Sequence, residues 1–383
     1  MPQETKGKPH RHKKRKHMNP FLYLILVVTI SAILAGVIWM MAGDVLALNK
    51  PTRSAVITLS ESVFTKTETT DKDGQPATLL VPDMKYVADQ LKEKGLVEYE
   101  PLFQLFCAVT KVKSKGKLMP GTYELNTDMD YNALVNALSA KSGNRVTVTV
   151  TIPEGYILDQ IFELLEEKGV LPAETLKATA ANYDFKFSFL KGVLPLGDYH
   201  RLEGYLFPDT YEFYMGGGEN EAIQVLNKMI LRFDEQIPDA LREKAAGMGL
   251  SVHDLVTVAS LIEKETDGTD QAHIASVIYN RLNNPQYETV GYLQIDATLV
   301  YALGRAITAA DYDTANTPYN TYTHKGLPPG PIASPGMVSL NAALNPSSSK
   351  DYYYVLGPDK LHHFFRTHDD QLAYIAQVNA GRG

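Results

Sequence analysis

The chain has 383 residues, 44% hydrophobic and 21% charged, which allows two or three folded domains and excludes a disordered chain. Its single cysteine, Cys107, excludes an intramolecular disulfide and a cysteine-rich metal site. The net charge of −7 is uneven: residues 1–17 carry +6, residues 18–43 carry none, and the acidic remainder argues against nucleic acid as a partner.

Phe21 to Gly43 is an uncharged, mostly apolar run, long enough to cross a bilayer as a helix. The basic stretch before it, which includes His10, His12 and His17, places the N-terminus in the cytoplasm by the positive-inside rule. A cleaved signal peptide would have a shorter apolar run and a small-x-small site after it, so residues 18–43 read as a single-pass anchor in the cell membrane with the rest of the chain outside the cytoplasm. Residues 44–79, with TKTETTDKDGQPAT, read as an exposed linker.

A quasi-repeat follows. Leu80-Val81-Pro82-Asp83 leads into an amphipathic helix ending at Gly95, and Thr151-Ile152-Pro153-Glu154-Gly155 leads into another ending at Gly169, each with a strand, a proline, an acid and a glycine cap. The second helix is expected to be three residues longer. Between them, Pro120–Leu125 reads as a turn into a short strand, and Tyr131–Ala140 as a helix. Residues 80–145 thus form a small α/β module of the size of a LysM-like glycan-binding unit; a structural spacer fits the same composition equally well.

From residue 146 a mixed α+β domain is expected. Val146–Ile152 alternates as a half-buried strand. Tyr205–Tyr214 holds five aromatics mixed with Asp209 and Glu212, which suits core or interface, with part of the stretch able to line a sugar groove. Helices are expected at 219–236 and 239–247. In Ser251–Asp267, Ser251 and Asp254 form a capping box, and Leu255, Val258, Ala259 and Ile262 make an apolar stripe. Glu263 lies at the edge of that stripe with little charge near it, where lost hydration favours the protonated acid that a general acid needs. An ordinary boundary glutamate reaching into water fits the same periodicity. Glu265, about 200° further round the helix, is expected to face solvent.

Asp270 is placed to cap a helix ending near Asn283, and Asp296 to cap the short helix 297–303. Tyr319–Ile332 is a loop at once stiff, polar and aromatic, properties that suit either a sugar subsite or a rigid surface loop. Two short strands, 351–355 and 363–367, precede a last helix at 369–379. No HExxH, GxSxG or GxxxxGK[ST] is present, and adjacent His362 and His363 are poorly spaced for one metal, so neither a metal nor a cofactor is implied.

ASLIEKET (259–266), LQIDAT (293–298), YNTY (319–322), GLPPGPI (326–332) and LEGYLFPDTY (202–211) together resemble the hallmark segments of the YceG-like, or MltG, endolytic murein transglycosylases. The resemblance covers about residues 80–383. It implies Glu263 as the catalytic acid, with Gln294, Asp296, Tyr319, Asn320 and Tyr322 binding substrate. It also implies peptidoglycan glycan strands as substrate, and membrane-bound peptidoglycan synthases as candidate partners. The reaction implied is cleavage of the bond between N-acetylmuramic acid and N-acetylglucosamine without water, leaving 1,6-anhydro ends. A hydrolytic muramidase with Asp296 or Asp209 as second carboxylate, and a non-catalytic wall-binding scaffold, are the alternatives. One departure is visible: Gln371 stands where many family members place a histidine after the pattern carried here by His363, Phe365 and Thr367.

Overall fold

In a computed structural model the chain forms two compact units, one from residues 1–57, 65–118 and 124–142, the other from 58–64, 119–123 and 143–383. The structure describes residues 19–48, 50–70, 75–112, 117–139, 143–191, 193, 195–266, 268–284 and 287–380. The basic tail expected at 1–17 lies outside them.

The chain opens with helix α1, Pro20–Val45, whose apolar side chains are exposed along its length. Asn19 caps it, accepting from the Phe21 N–H at 3.0 Å. Residues 44–79 are not simply a linker: they contain strands β1 (Ser54–Leu59), β2 (Phe64–Thr70) and the start of β3 (Pro76–Pro82). Apart from Phe64, β2 is exposed on both faces, so it carries no apolar alternation and reads as loop. Its threonines still favour extended backbone.

Helix α2 (Met84–Glu93) is capped by Asp83, which accepts from the N–H groups of Lys85 and Tyr86, and it ends before Gly95 at φ +72°. Helix α3 (Glu100–Val109), strand β4 (Gly121–Asn126) and helix α4 (Tyr131–Ala137) follow. Val87 and Leu91 of α2, Phe103 and Cys107 of α3, and Tyr131 and Leu134 of α4 are buried. The Phe103 and Tyr131 rings meet edge to face at 5.1 Å.

The larger unit continues with β5 (Thr147–Thr151), α5 (Leu158–Glu167), α6 (Ala173–Asn182), β6 (Thr210–Tyr214), α7 (Glu219–Gln236) and α8 (Asp239–Gly247). Then come α9 (Val252–Glu265), α10 (Gln271–Asn283), α11 (Asp296–Leu303), α12 (Asp311–Thr314), α13 (Met337–Leu344), β7 (Tyr353–Leu356), β8 (His362–Phe365) and α14 (His368–Ala380). The described strands pair two by two: β1 with β4, β2 with β3, β5 with β6, β7 with β8.

The repeat geometry departs from expectation in one useful way. Helices α2 and α5 are both 10 residues long. The three extra residues of the second copy fall in the turn between Pro153 and Leu158, which carries Glu154. The aromatic stretch is core: Tyr205, Phe207, Tyr211 and Phe213 are buried, and Tyr205 packs with Phe189 and Phe233. Helix α9 is the centre of the unit. Every residue from Leu255 to Ile262 is buried, so the helix is wrapped on all sides and only its ends are free to carry polar function.

Candidate active site

Ser251 and Asp254 form the expected capping box at the start of α9. Distant motifs are fastened onto the same helix. Ser260 Oγ donates to Thr257 O at 2.8 Å and accepts from the Ile332 N–H at 3.0 Å, tying the GLPPGPI loop to ASLIEKET. His253 Nε2 lies 2.8 Å from Pro329 O, an acceptor only, so a neutral His253 carries its proton on Nε2 and accepts from Tyr205 OH at Nδ1, 3.0 Å away. Gly204 has φ +82°, and a Cβ there would sit 2.7 Å from Pro331 Cβ and 2.8 Å from Val256 Cγ1. Only glycine allows that approach, so LEGYLF, α9 and the proline loop form one packed block. Thr321 binds LQIDAT: its carbonyl accepts from Gln294 N–H at 3.1 Å and its hydroxyl from Ile295 N–H at 3.0 Å.

The two glutamates of EKET leave the helix end in different company. Glu263 is partly buried and its Oε2 accepts from the Gly336 N–H at 3.0 Å. It is not remote from other charge. A Cβ on Gly336 would lie 1.9 Å from Glu154 Oε1, so Glu154 occupies the space beside that same glycine. Burial, and then the charge of Glu263, raise the Glu154 carboxyl above its ordinary value.

Glu265 does not face open solvent as its helical angle suggests. It is partly buried, and Tyr354 OH on β7 donates to its Oε2 at 2.8 Å. Burial pushes the Glu265 carboxyl up; the Tyr354 hydrogen bond opposes this, and the Asp296 charge adds to it. Cavities of about 440, 530 and 600 Å³ all have Glu265 in their walls. Glu263 lines only the first of these. Gln294, Asp296, Tyr322, Arg281 and Gln371 line the second with Glu265, and Asp296 also lines the third with Tyr301 and Ile332.

Of the residues expected to bind substrate, three reach this space. Gln294 is exposed and sits at φ +51°, a left-handed conformation that costs a non-glycine residue strain. Asp296 starts α11 but makes no capping bond; its carboxylate accepts instead from Tyr322 OH and from Tyr312 OH. Tyr322 is the third. Tyr319 does not line these three cavities; its ring lies 5.2 Å from that of Tyr301, which lines the third. Asn320 is fully buried: its amide donates to Tyr312 O and Ala315 O, both at 3.1 Å, and accepts from Tyr322 N–H at 3.0 Å. From this buried position it braces the loop.

Asp209 is out of reach of the cavities, in an ion pair with Arg232 at 2.7 Å. Asp270 makes no side-chain cap on α10; it binds Thr266 OH at 2.6 Å and His362 Nδ1 at 2.7 Å. His363 instead faces Asp359, so the adjacent histidines serve different carboxylates. Among the described residues no cluster of His, Cys, Asp and Glu could hold a metal ion.

Residues 82–377 match the YceG-like family. The chain belongs to the YceG-like family. A relative in Bacillus subtilis, named endolytic murein transglycosylase, is 34% identical over 282 residues, covering 70% of this chain and 74% of its own. One of the same name in Streptococcus pneumoniae is 32% identical over 300 residues, which is 71% of this chain and only 52% of the relative. The chain thus spans about half of that longer protein. A crystal structure of a yceG-like protein from Listeria monocytogenes, 28% identical, superposes with a TM-score of 0.51 over 84% of this chain and 98% of its own.

Within this YceG-like chain, Glu265, Tyr354 and Gln371 line the second cavity without having been expected there from sequence. Gln371, at the position expected to carry a histidine, lines the second cavity and donates from Nε2 to Tyr354 O at 2.8 Å. It holds the strand whose phenol holds Glu265. Its departure from the family pattern was the one signal available in sequence.

Proposed function

We propose that this chain is an endolytic peptidoglycan lytic transglycosylase held at the cell membrane by α1, with the basic N-terminus in the cytoplasm and both units outside it. The family membership and the names of the relatives support the activity. The 26-residue exposed apolar helix supports the anchor. Residues 80–145 are read as the LysM-like unit and 146–383 as the catalytic domain. Anchoring holds the active site near the outer membrane face, so nascent strands, and the membrane-bound synthases that make them, are its natural company.

The observation that carries the chemistry is the position of Glu265: a carboxyl biased toward its protonated form, in the wall of all three cavities around the helix end. Protonated, it donates to the glycosidic oxygen as the bond to C1 of N-acetylmuramic acid breaks. Ionised, it takes the proton from the C6 hydroxyl of that sugar as the C6 oxygen closes on C1 to form the 1,6-anhydro ring. The nucleophile belongs to the substrate, so no water and no second enzymic nucleophile is required. Asp296, aimed by two phenols, faces the positive charge that develops at C1, and Gln294 and Tyr322 hold the saccharide. Glu263, the acid expected from sequence, is the rival assignment; here it supports the Gly336 turn.

Asp296 also favours a second reading. A carboxylate sharing two cavities with the acid is what a hydrolytic muramidase would use. Mass spectrometry of purified strands digested by the full chain separates the two: the transglycosylase gives muramyl ends lighter by one water than reducing ends. Reducing ends alone would reject it, and the absence of any new ends would leave the wall-binding scaffold.

A further inference from the structure

Asp44 closes the last turn of α1 and is 2% exposed. Its carboxylate accepts from Lys50 Nζ at 2.6 Å, from the N–H groups of Glu98 at 3.0 Å and Tyr99 at 2.9 Å, and from Tyr131 OH. The end of the membrane helix is therefore locked to the residues that start α3. At about 1.5 Å rise per residue, the whole of α3 extends only about 15 Å from that lock. The polar zone on each side of the hydrocarbon core is itself several ångströms deep.

The inward face of α3 is Phe103 and Cys107, both buried. Its outward face is Leu105 at 60% exposure and Val109 at 73%, flanked by exposed Pro101 and Ala108 and by partly buried Leu102 and Phe106. No charged residue lies between Glu100 and Lys111. A helix face in water is ordinarily polar, and this one is not. Leu46 and Leu48, next to the lock, are exposed as well. The sequence that follows α3, KVKSKGK, has four lysines and no acid, which suits anionic headgroups.

We propose that α3 is an interfacial helix that sets Leu105 and Val109 among the lipid acyl chains beside α1. The partner is the bilayer, and the inference rests on α1 being a membrane anchor. It goes beyond tethering: the smaller unit is held against the membrane through a second, in-plane contact.

The chain has one tryptophan, Trp39, within α1. The test uses the full chain in vesicles of phosphatidylglycerol and chain-brominated phosphatidylcholine, whose bromines quench tryptophan within the acyl region. Trp39 in the unaltered chain reports the anchor. Leu105→Trp and Val109→Trp, each in a Trp39→Phe background, report α3, and Lys85→Trp, on an exposed position of α2, is the aqueous control. The expected result is quenching at the two α3 positions comparable to that of Trp39, with Lys85→Trp unquenched. Quenching of Trp39 alone would overturn the proposal and leave the anchor standing. A blue-shifted but unquenched α3 tryptophan would overturn it by showing a protein surface on that face. An unquenched Trp39 would remove the anchor and the proposal together.

Discussion

Tyr354 donates its phenolic proton to Glu265 from a strand 89 residues further along the chain, across a distance of 2.8 Å. This hydrogen bond favours the ionised carboxylate, whereas burial, the larger effect, favours the protonated acid. Tyr354→Phe removes only the former. The Glu265 carboxyl should then titrate higher still. Because bond cleavage needs the protonated acid, the alkaline limb of kcat/KM against pH should move to higher pH. A profile measured on purified strands that stays in place, or moves to lower pH, would show that this carboxyl is not the titrating acid.

Replacing each EKET glutamate in turn decides which is the acid. Loss of a general acid costs about 10²–10⁴ in rate. Glu265→Gln should fall by that amount with its fold intact. Glu263→Gln keeps an oxygen for the Gly336 N–H and relieves the charge on Glu154, so it should retain most of its turnover. The opposite ranking in release of anhydro ends would return the role to Glu263.

Much of this architecture could be read from the sequence, because it rests on local signals. The capping box at Ser251, the apolar stripe of α9 and the glycine caps at Gly95 and Gly169 act within a few residues, and the structure has each of them. Glu265 was not legible, because what covers it is the β7–β8 hairpin, far away in sequence. Helical angle alone puts it on the side away from the stripe. The burial of Asn320 was not legible for a related reason: in sequence an asparagine in a polar loop looks exposed, whereas the loop's own carbonyls accept from its amide. Strand β2 was hidden because it buries almost no side chain, whereas β1, which buries Ile57 and Leu59 in alternation, did carry a period-2 signal within the stretch read as linker.

Gln294 tests whether strain has been retained for function. A side chain held at positive φ costs about 1–3 kcal/mol, and glycine relieves it. Part of that gain is lost to the greater freedom of glycine in the unfolded chain. Gln294→Gly should therefore stabilise the fold by up to about 1 kcal/mol while weakening saccharide binding, seen as a raised KM. Chemical denaturation and strand-digestion kinetics read the two effects separately. A variant that is less stable than the parent would show that the backbone at 294 is not strained.

Glu203 offers a stability prediction with a definite sign. It is buried, accepts from the Leu158 N–H at 3.2 Å and from Tyr301 OH at 3.1 Å, and burial pushes its carboxyl up to about 8 from an ordinary 4.5. Between those two values the folded chain holds a proton that the unfolded chain has released. The contribution is thus fully present below the lower value and is lost as pH rises through the upper one. Glu203→Gln keeps an acceptor oxygen and cannot ionise. Relative to the parent, it should gain stability on the order of a few kcal/mol between about pH 5 and pH 9, since a tenfold difference in proton affinity between folded and unfolded chain corresponds to about 1.4 kcal/mol. Melting of both proteins in detergent across that range reads the difference directly. A gap that does not widen with pH would mean that Glu203 is already ionised in the fold, with Leu158 and Tyr301 compensating its burial.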